Sequence, residues 1–114
     1  MKHGEILLVN YPFTDHSGAK LRPALVVSQD GYNTGEDFVI VPISSAPSPN
    51  DPYAVRIEAT HAAFSQTGLR QASSIKWTKP ITVSRRVVQR RLGIVPSDLL
   101  ARVQAGLVAL FTNR

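Results

Sequence analysis

The sequence predicts an α+β protein, a small antiparallel β-barrel of about six or seven strands followed by one C-terminal amphipathic helix. Short apolar runs alternate with turn-forming residues through most of the chain, which is typical of strands. The apolar spacing changes to three and four residues only near the C-terminus, which indicates a helix. Short strands need covered edges, so we expect the sheet to curl into a barrel. The length of 114 residues suits one domain, predicted to span residues 1–114.

Three strands are predicted in the first part of the chain, at residues 5–13, 23–28 and 38–43. Pro12 marks the end of the first strand, because proline has no N–H to donate to a ladder. Pro23 favours an extended backbone at Arg22, so the second strand is expected to begin there. The third strand is almost entirely apolar, which predicts a central position in the sheet.

Further strands are predicted at residues 53–59, 69–77, 81–83 and 87–92. Residues 44–52 contain three prolines and are expected to form a loop. The alternation of apolar and polar residues over 53–59 is the clearest strand pattern in the chain. Arg85 and Arg86 interrupt the last two strands as a turn or a single helical turn. Trp77 is expected to pack in the core.

The C-terminal helix is predicted to begin at Ser97, whose side chain can cap it after Pro96. Asp98 suits the positive end of the helix dipole. The residues that follow at helical spacing form one apolar stripe: Leu99, Leu100, Val103, Leu107 and Leu110. We expect this stripe to pack on the sheet.

The charge is unevenly distributed along the chain. Residues 1–60 contain four basic and seven acidic side chains, whereas residues 61–114 contain nine basic and one acidic. The formal net charge is +5. A basic half of this kind predicts a polyanion or an acidic protein as the partner.

Several classes of site are excluded or disfavoured by composition. The chain has no cysteine, so disulfides, thiolate nucleophiles and cysteine-based metal sites are excluded. The three histidines are scattered and no carboxylate cluster has ligand spacing, so neither a metal nor another cofactor is expected. No glycine-rich phosphate loop is present. No apolar run approaches the roughly 18 residues of a membrane span, and we expect a cytoplasmic protein without membrane contact.

The order of motifs resembles that of the MazF/PemK (Kid) toxins of bacterial toxin–antitoxin pairs. The segments that carry the resemblance are Gly4-Glu-Ile-Leu-Leu-Val9, Leu21-Arg-Pro-Ala-Leu-Val-Val-Ser28, Tyr32-Asn33, Val39-Ile-Val-Pro-Ile-Ser44, Gly68-Leu69 and Arg91-Leu-Gly-Ile-Val-Pro-Ser-Asp-Leu99. The resemblance covers nearly the whole chain. It implies an SH3-like, CcdB-like barrel that forms a homodimer and cuts single-stranded mRNA at a short sequence without metal. It also implies an acidic antitoxin whose flexible segment occupies the RNA site.

The chemistry that the resemblance implies makes three demands on the protein. The 2′-OH of the RNA attacks the adjacent phosphorus, so the protein must stabilise charge on the phosphorane, remove the 2′ proton and protonate the leaving 5′ oxygen. Arg22, in the Arg-Pro motif, matches the family's catalytic arginine and suits the first task because its planar donors fit a phosphate. Ser44 stands where the family usually has threonine, and its hydroxyl can bond a phosphate oxygen. His16 is a candidate proton carrier.

A second set of residues is expected to contact RNA: Ser17, Lys20, Lys76, Thr78, Arg85 and Arg86. Kid-like members carry an arginine and an aspartate for acid–base work where this chain has Lys76 and Thr78. Threonine is not a base. The mechanism is therefore expected to resemble the MazF-like branch, with Arg22 and Ser44 as the main groups, or the protein cleaves slowly or not at all.

Two other functions on the same barrel stay open at this stage. One is a DNA gyrase-poisoning toxin of the CcdB-like kind, although residues 111–114 lack the aromatic-glycine ending associated with it. The other is a non-catalytic module that binds RNA or protein, which the residues at positions 76 and 78 would allow.

Overall fold

The computed structural model describes residues 1–11, 20–47 and 50–113. In these ranges the chain forms seven strands and one α-helix: β1 Glu5–Tyr11, β2 Lys20–Val26, β3 Asp37–Ser44, β4 Val55–Ile57, β5 Ser73–Ile75, β6 Ile81–Ser84, β7 Val88–Ile94 and α1 Ser97–Leu110. Short 3-10 turns lie at Tyr32–Thr34, Phe64–Thr67 and Arg85–Val87. The last of them confirms the predicted interruption at Arg85 and Arg86. α1 has 14 residues, and no helix in the described ranges is long and apolar enough to span a membrane.

The strands form one antiparallel sheet in the order β4-β5-β3-β2-β1-β7, with β6 added to β3. The sheet curls strongly, because Ile57 of β4 and Ile6 of β1 share a core although three strands lie between them. Among the described residues β4 and β7 do not pair, so the barrel is open rather than closed. The predicted class, an antiparallel sheet of seven strands with one C-terminal helix, is confirmed.

β3 is a central strand although Pro42 lies within it. Its outer edge pairs with β6 as far as Ile40–Ile81 and with β5 from Ile43–Ile75 onward. The Pro42 carbonyl faces this edge and accepts the Lys76 N–H at 2.9 Å. The N–H and C=O of one residue point to the same edge of an antiparallel strand, so the missing N–H of Pro42 falls where the partner changes. The proline therefore removes no ladder bond to either β6 or β5.

Two apolar clusters lie on the two faces of the sheet. The cluster beneath α1 contains Ile6, Leu25, Val41, Ile43, Val55, Ile57, Ile75, Trp77, Val95, Leu99 and Val103. The other contains Leu7, Val9, Tyr11, Ala24, Phe38, Ile40 and Val83. Neighbouring residues of β1 contribute to different clusters because side chains alternate along a strand. The prediction that Trp77 packs in the core is confirmed.

The helix stripe is buried only at its start. Leu99 and Val103 are buried, whereas Leu110 is 41% exposed and Phe111 is 76% exposed. The prediction that Ser97 caps the helix is wrong, because the N-cap is Pro96 and no side chain caps the first turn. Helix packing against the sheet therefore depends on the first two turns.

The strand predicted at residues 53–59 is much shorter, with only Val55–Ile57 in β4. The Asp51 carboxylate accepts the Tyr53 N–H at 2.8 Å, and this local turn keeps Tyr53 out of the sheet. β4 is also an edge strand, whose sole neighbour β5 has three residues. The strand predicted at 69–77 is also shorter, with only Ser73–Ile75 in β5.

Two glycines let residues 64–72 pack directly on β7. A Cβ on Gly68 would lie 2.1 Å from the Leu92 carbonyl oxygen, and one on Gly93 would lie 2.1 Å from the Gln66 carbonyl oxygen. Gly68 also has φ +70°, in the left-handed region that favours glycine. This backbone contact fixes the position of the segment between Gly68 and β5.

We expect Gly93→Ala to lower the free energy of unfolding by about 2–3 kcal/mol, because the new methyl group meets backbone that cannot move aside as a side chain can. Urea denaturation gives this value. Gly35→Ala is the matched control, since a Cβ there meets its nearest atom at 3.6 Å, and it should change stability little. Equal stability of the two variants would contradict the close contact.

The start of α1 gives a pH-dependent prediction. His61 Nε2 lies 3.0 Å from Asp98 Oδ2, and this hydrogen bond holds the pKa of the Asp98 carboxyl below its usual value. The Asp98 carboxylate takes up a proton at higher pH in the unfolded chain than in the folded protein. The His61–Asp98 hydrogen bond therefore stabilises the fold above the ordinary pKa range of aspartate, and this stabilisation is lost as the pH falls. Urea denaturation between about pH 3 and 7 should show a steeper acid loss for wild type than for Asp98→Asn. Parallel pH profiles would contradict this assignment.

Candidate functional site

A cleft of about 530 Å³ opens where β2 and β3 separate. The two strands are paired from Val26–Ile40 to Ala24–Pro42, and no further pair follows toward Arg22 and Ser44. The residues around the cleft are Leu8, Leu21, Arg22, Pro23, Ile43, Ser44, Ser45, Ala46, Gly68, Leu69, Arg70, Gln71, Ser73, Arg90 and Leu92. Four parts of the fold therefore meet here: β1, the ends of β2 and β3, the segment after Gly68, and β7.

The charged side chains among the described residues that line the cleft are all basic. Arg22, Arg70 and Arg90 line it, and none of its other lining residues carries a charge. In the described part of the chain, none of these three guanidinium groups forms a hydrogen bond or an ion pair with another residue. Uncompensated cations in one concave site attract anions. The electrostatics of the cleft therefore suit a phosphate-bearing ligand.

Arg22 is held at the rim of this cleft by two features of β2. It pairs with Val9 of β1, which fixes its backbone in the sheet. The ring of Pro23 restricts the backbone at Arg22 to extended conformations. The side chain is exposed, and its planar fork of donors can bond two oxygens of one phosphate. A rigid backbone with a free guanidinium is what charge stabilisation at a reacting phosphorus requires.

Ser44 is the last residue of β3 and lies across from Ser74 of β5. Its Oγ accepts the Ala46 N–H at 3.2 Å, so the hydroxyl ends the strand and begins the next turn. This bond uses an oxygen lone pair and leaves the hydroxyl proton available. The same group can therefore donate to a phosphate oxygen while the turn holds it in place.

The floor of the cleft is aliphatic. Leu8, Leu21, Ile43, Leu69 and Leu92 contribute apolar surface next to the arginines. A nucleotide combines a charged phosphate with a less polar base and sugar, and a cleft with both kinds of surface matches it. Trp77 and Tyr53, whose aromatic rings could stack on bases, do not line the cleft. Their rings contact each other instead, with centroids 6.0 Å apart.

Of the predicted site residues, the structure brings Arg22 and Ser44 together in the cleft. Lys20 is exposed at the start of β2, two residues before Arg22, and does not line the cleft. His16 and Ser17 lie outside the described residues. Arg22 and Ser44 therefore line one cleft, and their roles in it remain predictions.

Four other predicted RNA contacts lie away from the cleft. The Lys76 ammonium is 3.4 Å from Asp51 Oδ2. The pKa of the Asp51 carboxyl lies below its usual value, mainly because the carboxylate accepts the Tyr53 N–H and also because Lys76 is close to it. Thr78 is half-buried two residues further along the chain. Neither Lys76 nor Thr78 lines the cleft.

Arg85 and Arg86 also lie away from it, in the 3-10 turn before β7. Arg85 donates to the carbonyls of Gly35 at 2.8 Å and Asn33 at 2.6 Å. These hydrogen bonds of the Arg85 guanidinium stabilise the loop before β3. Arg86 is exposed to solvent.

Sequence reasoning did not single out Arg70 and Gln71 as site residues. Arg90 belongs to the basic cluster Arg85, Arg86, Arg90 and Arg91, which the sequence suggests could follow backbone phosphates or meet an acidic antitoxin segment, but composition alone does not distinguish the four arginines. The structure distinguishes Arg90 from Arg91, because successive side chains of a strand point to opposite faces. Arg90 and Leu92 line the cleft, whereas Arg91 Nε donates to Glu5 Oε2 at 2.6 Å on the other face.

Within the described ranges, no three His, Asp or Glu side chains come together as a metal site would need.

Comparison with known proteins agrees with this fold. The family model for the PemK-like, MazF-like toxin of type II toxin–antitoxin system matches residues 2–111. No curated protein sequence matches the chain significantly. MazF from Deinococcus radiodurans superposes with a TM-score of 0.75 at 24% identity, covering 96% of this chain and 94% of that one.

Two mycobacterial structures have the same fold at lower identity. An endoribonuclease in complex with its cognate antitoxin, from a mycobacterial species, superposes with a TM-score of 0.76 at 16% identity, covering 100% of this chain and 98% of that one. The Mycobacterium tuberculosis toxin MazF-mt6 gives 0.73 at 16% identity, covering 94% and 95%. Since the family model spans all but four of the 114 residues, the chain belongs to the PemK-like, MazF-like toxins of type II toxin–antitoxin systems.

Proposed function

We propose that this toxin is a metal-independent endoribonuclease that cuts single-stranded mRNA at a short preferred sequence. The observation that carries the proposal is that Arg22 and Ser44 line one cleft, where the Arg22 guanidinium is unpaired and no lining residue is acidic within the described part of the chain. Membership of a toxin family and a fold shared with a mycobacterial endoribonuclease support it. The homodimer that the resemblance implies, and the cytoplasmic location expected from the sequence, belong to the same proposal.

The reaction needs no external nucleophile. The 2′ oxygen of the RNA forms a bond to the adjacent phosphorus, and the bond from phosphorus to the 5′ oxygen breaks. The products are a 2′,3′-cyclic phosphate and a 5′-OH, with the proton lost at the 2′ oxygen balanced by one gained at the 5′ oxygen. Charge accumulates on the non-bridging oxygens as phosphorus becomes five-coordinate.

Arg22 stabilises that charge in the proposed mechanism. Its two forked N–H groups bond the non-bridging oxygens more strongly as their charge grows, which lowers the barrier rather than only tightening binding. Ser44 donates its free hydroxyl proton to one of the same oxygens. His16 carries the proton between the 2′ and 5′ oxygens, and Ser17 and Lys20, in the segment leading to Arg22, contact the RNA. Lys76, Thr78, Arg85 and Arg86 are not part of the reacting site.

An acidic antitoxin is the proposed inhibitor of the toxin. A flexible segment rich in Asp and Glu can pair its carboxylates with Arg22, Arg70 and Arg90, the groups that bind phosphate in the cleft. A complex between an endoribonuclease of the same fold and its cognate antitoxin supports this partner class. RNA and antitoxin therefore compete for one surface.

We expect Arg22→Ala to lower the rate constant for RNA cleavage by about 10²–10³-fold, the usual loss of a donor to a developing oxyanion. The assay uses a long unstructured RNA in EDTA, with the new 5′ ends mapped and tested for 5′-OH. Arg22 is exposed and unpaired in the described structure, so its free energy of unfolding should stay within about 0.5 kcal/mol of wild type.

Arg102→Ala is the matched control for that variant, because Arg102 is exposed on α1 and does not line the cleft. Its cleavage rate should equal that of wild type. Undiminished cleavage by Arg22→Ala would overturn the site assignment. Intact RNA together with trapped gyrase–DNA complexes would show a gyrase-poisoning toxin instead, and RNA that is bound but never cut would show a binding module.

A second prediction concerns Ser44. Ser44→Ala should lower the rate about 10- to 100-fold, since a hydrogen bond to a charged group contributes about 1.5–3 kcal/mol. Ser44→Thr keeps the hydroxyl and should retain most of the activity. The two variants are compared in single-turnover cleavage of the same RNA. Equal losses in both would mean that the site requires the size of serine rather than its hydroxyl.

A further inference from the structure

Ser74 lies beside Ser44 in the sheet, on the neighbouring strand. β5 pairs with β3 on one side and with β4 on the other, and Ser74 is opposite Ser44 in the first ladder and opposite Arg56 in the second. Residues directly opposite one another in an antiparallel pair point to the same face of the sheet. The side chains of Ser44, Ser74 and Arg56 therefore form one row across three strands.

Arg22 lies on the same face as this row. Ala24 of β2 is opposite Pro42 of β3. Side chains two residues apart along a strand share a face, so Arg22 has the face of Ala24 and Ser44 has the face of Pro42. The proposed reacting pair and Ser74 therefore belong to one face of the sheet.

The Ser74 hydroxyl is buried and has one bond of the two kinds that it can make. The residue is 1% exposed and does not line the cleft. Arg56 Nη1 donates to Ser74 Oγ at 3.1 Å. A guanidinium can only donate, so this bond occupies a lone pair of the serine oxygen and leaves the hydroxyl proton unused. In the described part of the chain this proton has no acceptor, which is unfavourable for a buried donor.

Ser44 is the acceptor that the register offers to this proton. Of the two residues directly opposite Ser74, Arg56 has no acceptor atom, whereas Ser44 has a hydroxyl oxygen. Cβ atoms of directly opposite residues are about 4.5–5.5 Å apart, so two serine hydroxyls can reach hydrogen-bond distance by rotation about χ1. Ser44 Oγ accepts the Ala46 N–H at 3.2 Å and keeps a second lone pair.

Arg56 sets the direction of this chain of hydrogen bonds. Its Nε also donates to Glu58 Oε1 at 3.2 Å, which gives the guanidinium a second contact. Because Arg56 donates to Ser74, Ser74 has to donate onward. A hydroxyl that accepts a hydrogen bond becomes a stronger donor itself, so the positive charge of Arg56 is felt at the far end of the chain.

We infer that Ser74 is a positioning residue for Ser44: fixed by Arg56, it donates its hydroxyl proton to Ser44 Oγ when Ser44 donates to the RNA phosphate. The inference rests on the proposed function for the role of Ser44. Ser74 touches no substrate atom. It directs the Ser44 proton toward the phosphate oxygen, and this matters most when that oxygen carries the charge of the transition state. Loss of Ser74 therefore lowers kcat rather than raising KM.

The first test is steady-state cleavage of a short RNA that contains a mapped cut site. Ser74→Ala should lower kcat about 3- to 10-fold, the loss expected for one hydrogen bond, and change KM less than twofold. Ser28→Ala is the matched control, because the Ser28 hydroxyl donates to Asn33 and accepts the Val39 N–H away from the site, so its loss should lower stability and leave kcat unchanged. An unchanged kcat in Ser74→Ala, or an equal loss of kcat in Ser28→Ala, would overturn the inference.

A double-mutant cycle separates positioning from a general structural effect. If Ser74 acts through the Ser44 hydroxyl, Ser74→Ala should lower kcat in wild type but change it less than about twofold in the Ser44→Ala background. Arg56→Met removes the donor that directs Ser74, so it should lower kcat in wild type and have no further effect in the Ser74→Ala background. Losses that multiply in the first cycle would show a structural role and overturn the inference.

A crystal structure separates this inference from the proposed function. The protein is crystallised with the same RNA carrying a 2′-deoxy sugar at the cut site, which prevents the reaction. Ser74 Oγ should lie about 2.5–3.0 Å from Ser44 Oγ. RNA that is bound but never cut by wild type would overturn the proposed nuclease, and this distance would still support the role of Ser74. A separation above about 3.5 Å would overturn the inference even if RNA is cut normally.

Discussion

The site depends on a change of strand pairing along the outer edge of β3. At Pro42 this edge leaves β6 and joins β5, while the inner edge stops pairing with β2 at Ala24. The ends of β2 and β3 therefore separate, and a cleft opens between them. Arg22 and Ser44 stand on the two strands that separate. If β2 and β3 stayed paired as far as these residues, no room would be left for a substrate between the strands.

The second requirement is that the walls of the cleft keep their positive charge uncompensated. No acidic residue lines the cleft beside these three arginines within the described ranges, so their like charges repel one another. Elsewhere the protein pairs such groups, as with Lys76 and Asp51 or Arg91 and Glu5. Among the described residues, the candidate site therefore differs from other basic parts of the surface, because the arginines of the cleft are unpaired whereas Lys76 and Arg91 form ion pairs. In the proposed function, RNA phosphates or antitoxin carboxylates neutralise these charges when they bind.

The rigidity of the cleft comes from the core behind it. Ile43 belongs both to the apolar cluster beneath α1 and to the lining of the cleft, so helix packing and site geometry are linked. The glycine contact between Gly68 and β7 holds Arg70 and Gln71 at the third wall. Substrate groups thus meet strand and backbone positions fixed by packing, which favours charge stabilisation that needs no rearrangement during the reaction.

Local sequence patterns were enough to predict the fold class, the C-terminal helix, the turn at Arg85, and the candidates Arg22 and Ser44. These depend on local signals: apolar spacing, the effect of Pro23 on its neighbour, and motifs that resemble one family. Tertiary structure alone decided the rest. Strand alternation and pairing with β1 placed Arg90 in the cleft and Arg91 on the opposite face, and backbone carbonyls engaged Arg85. Composition assigns the same charge to all three arginines, and only the packing of distant segments determines which of them remains available to a ligand.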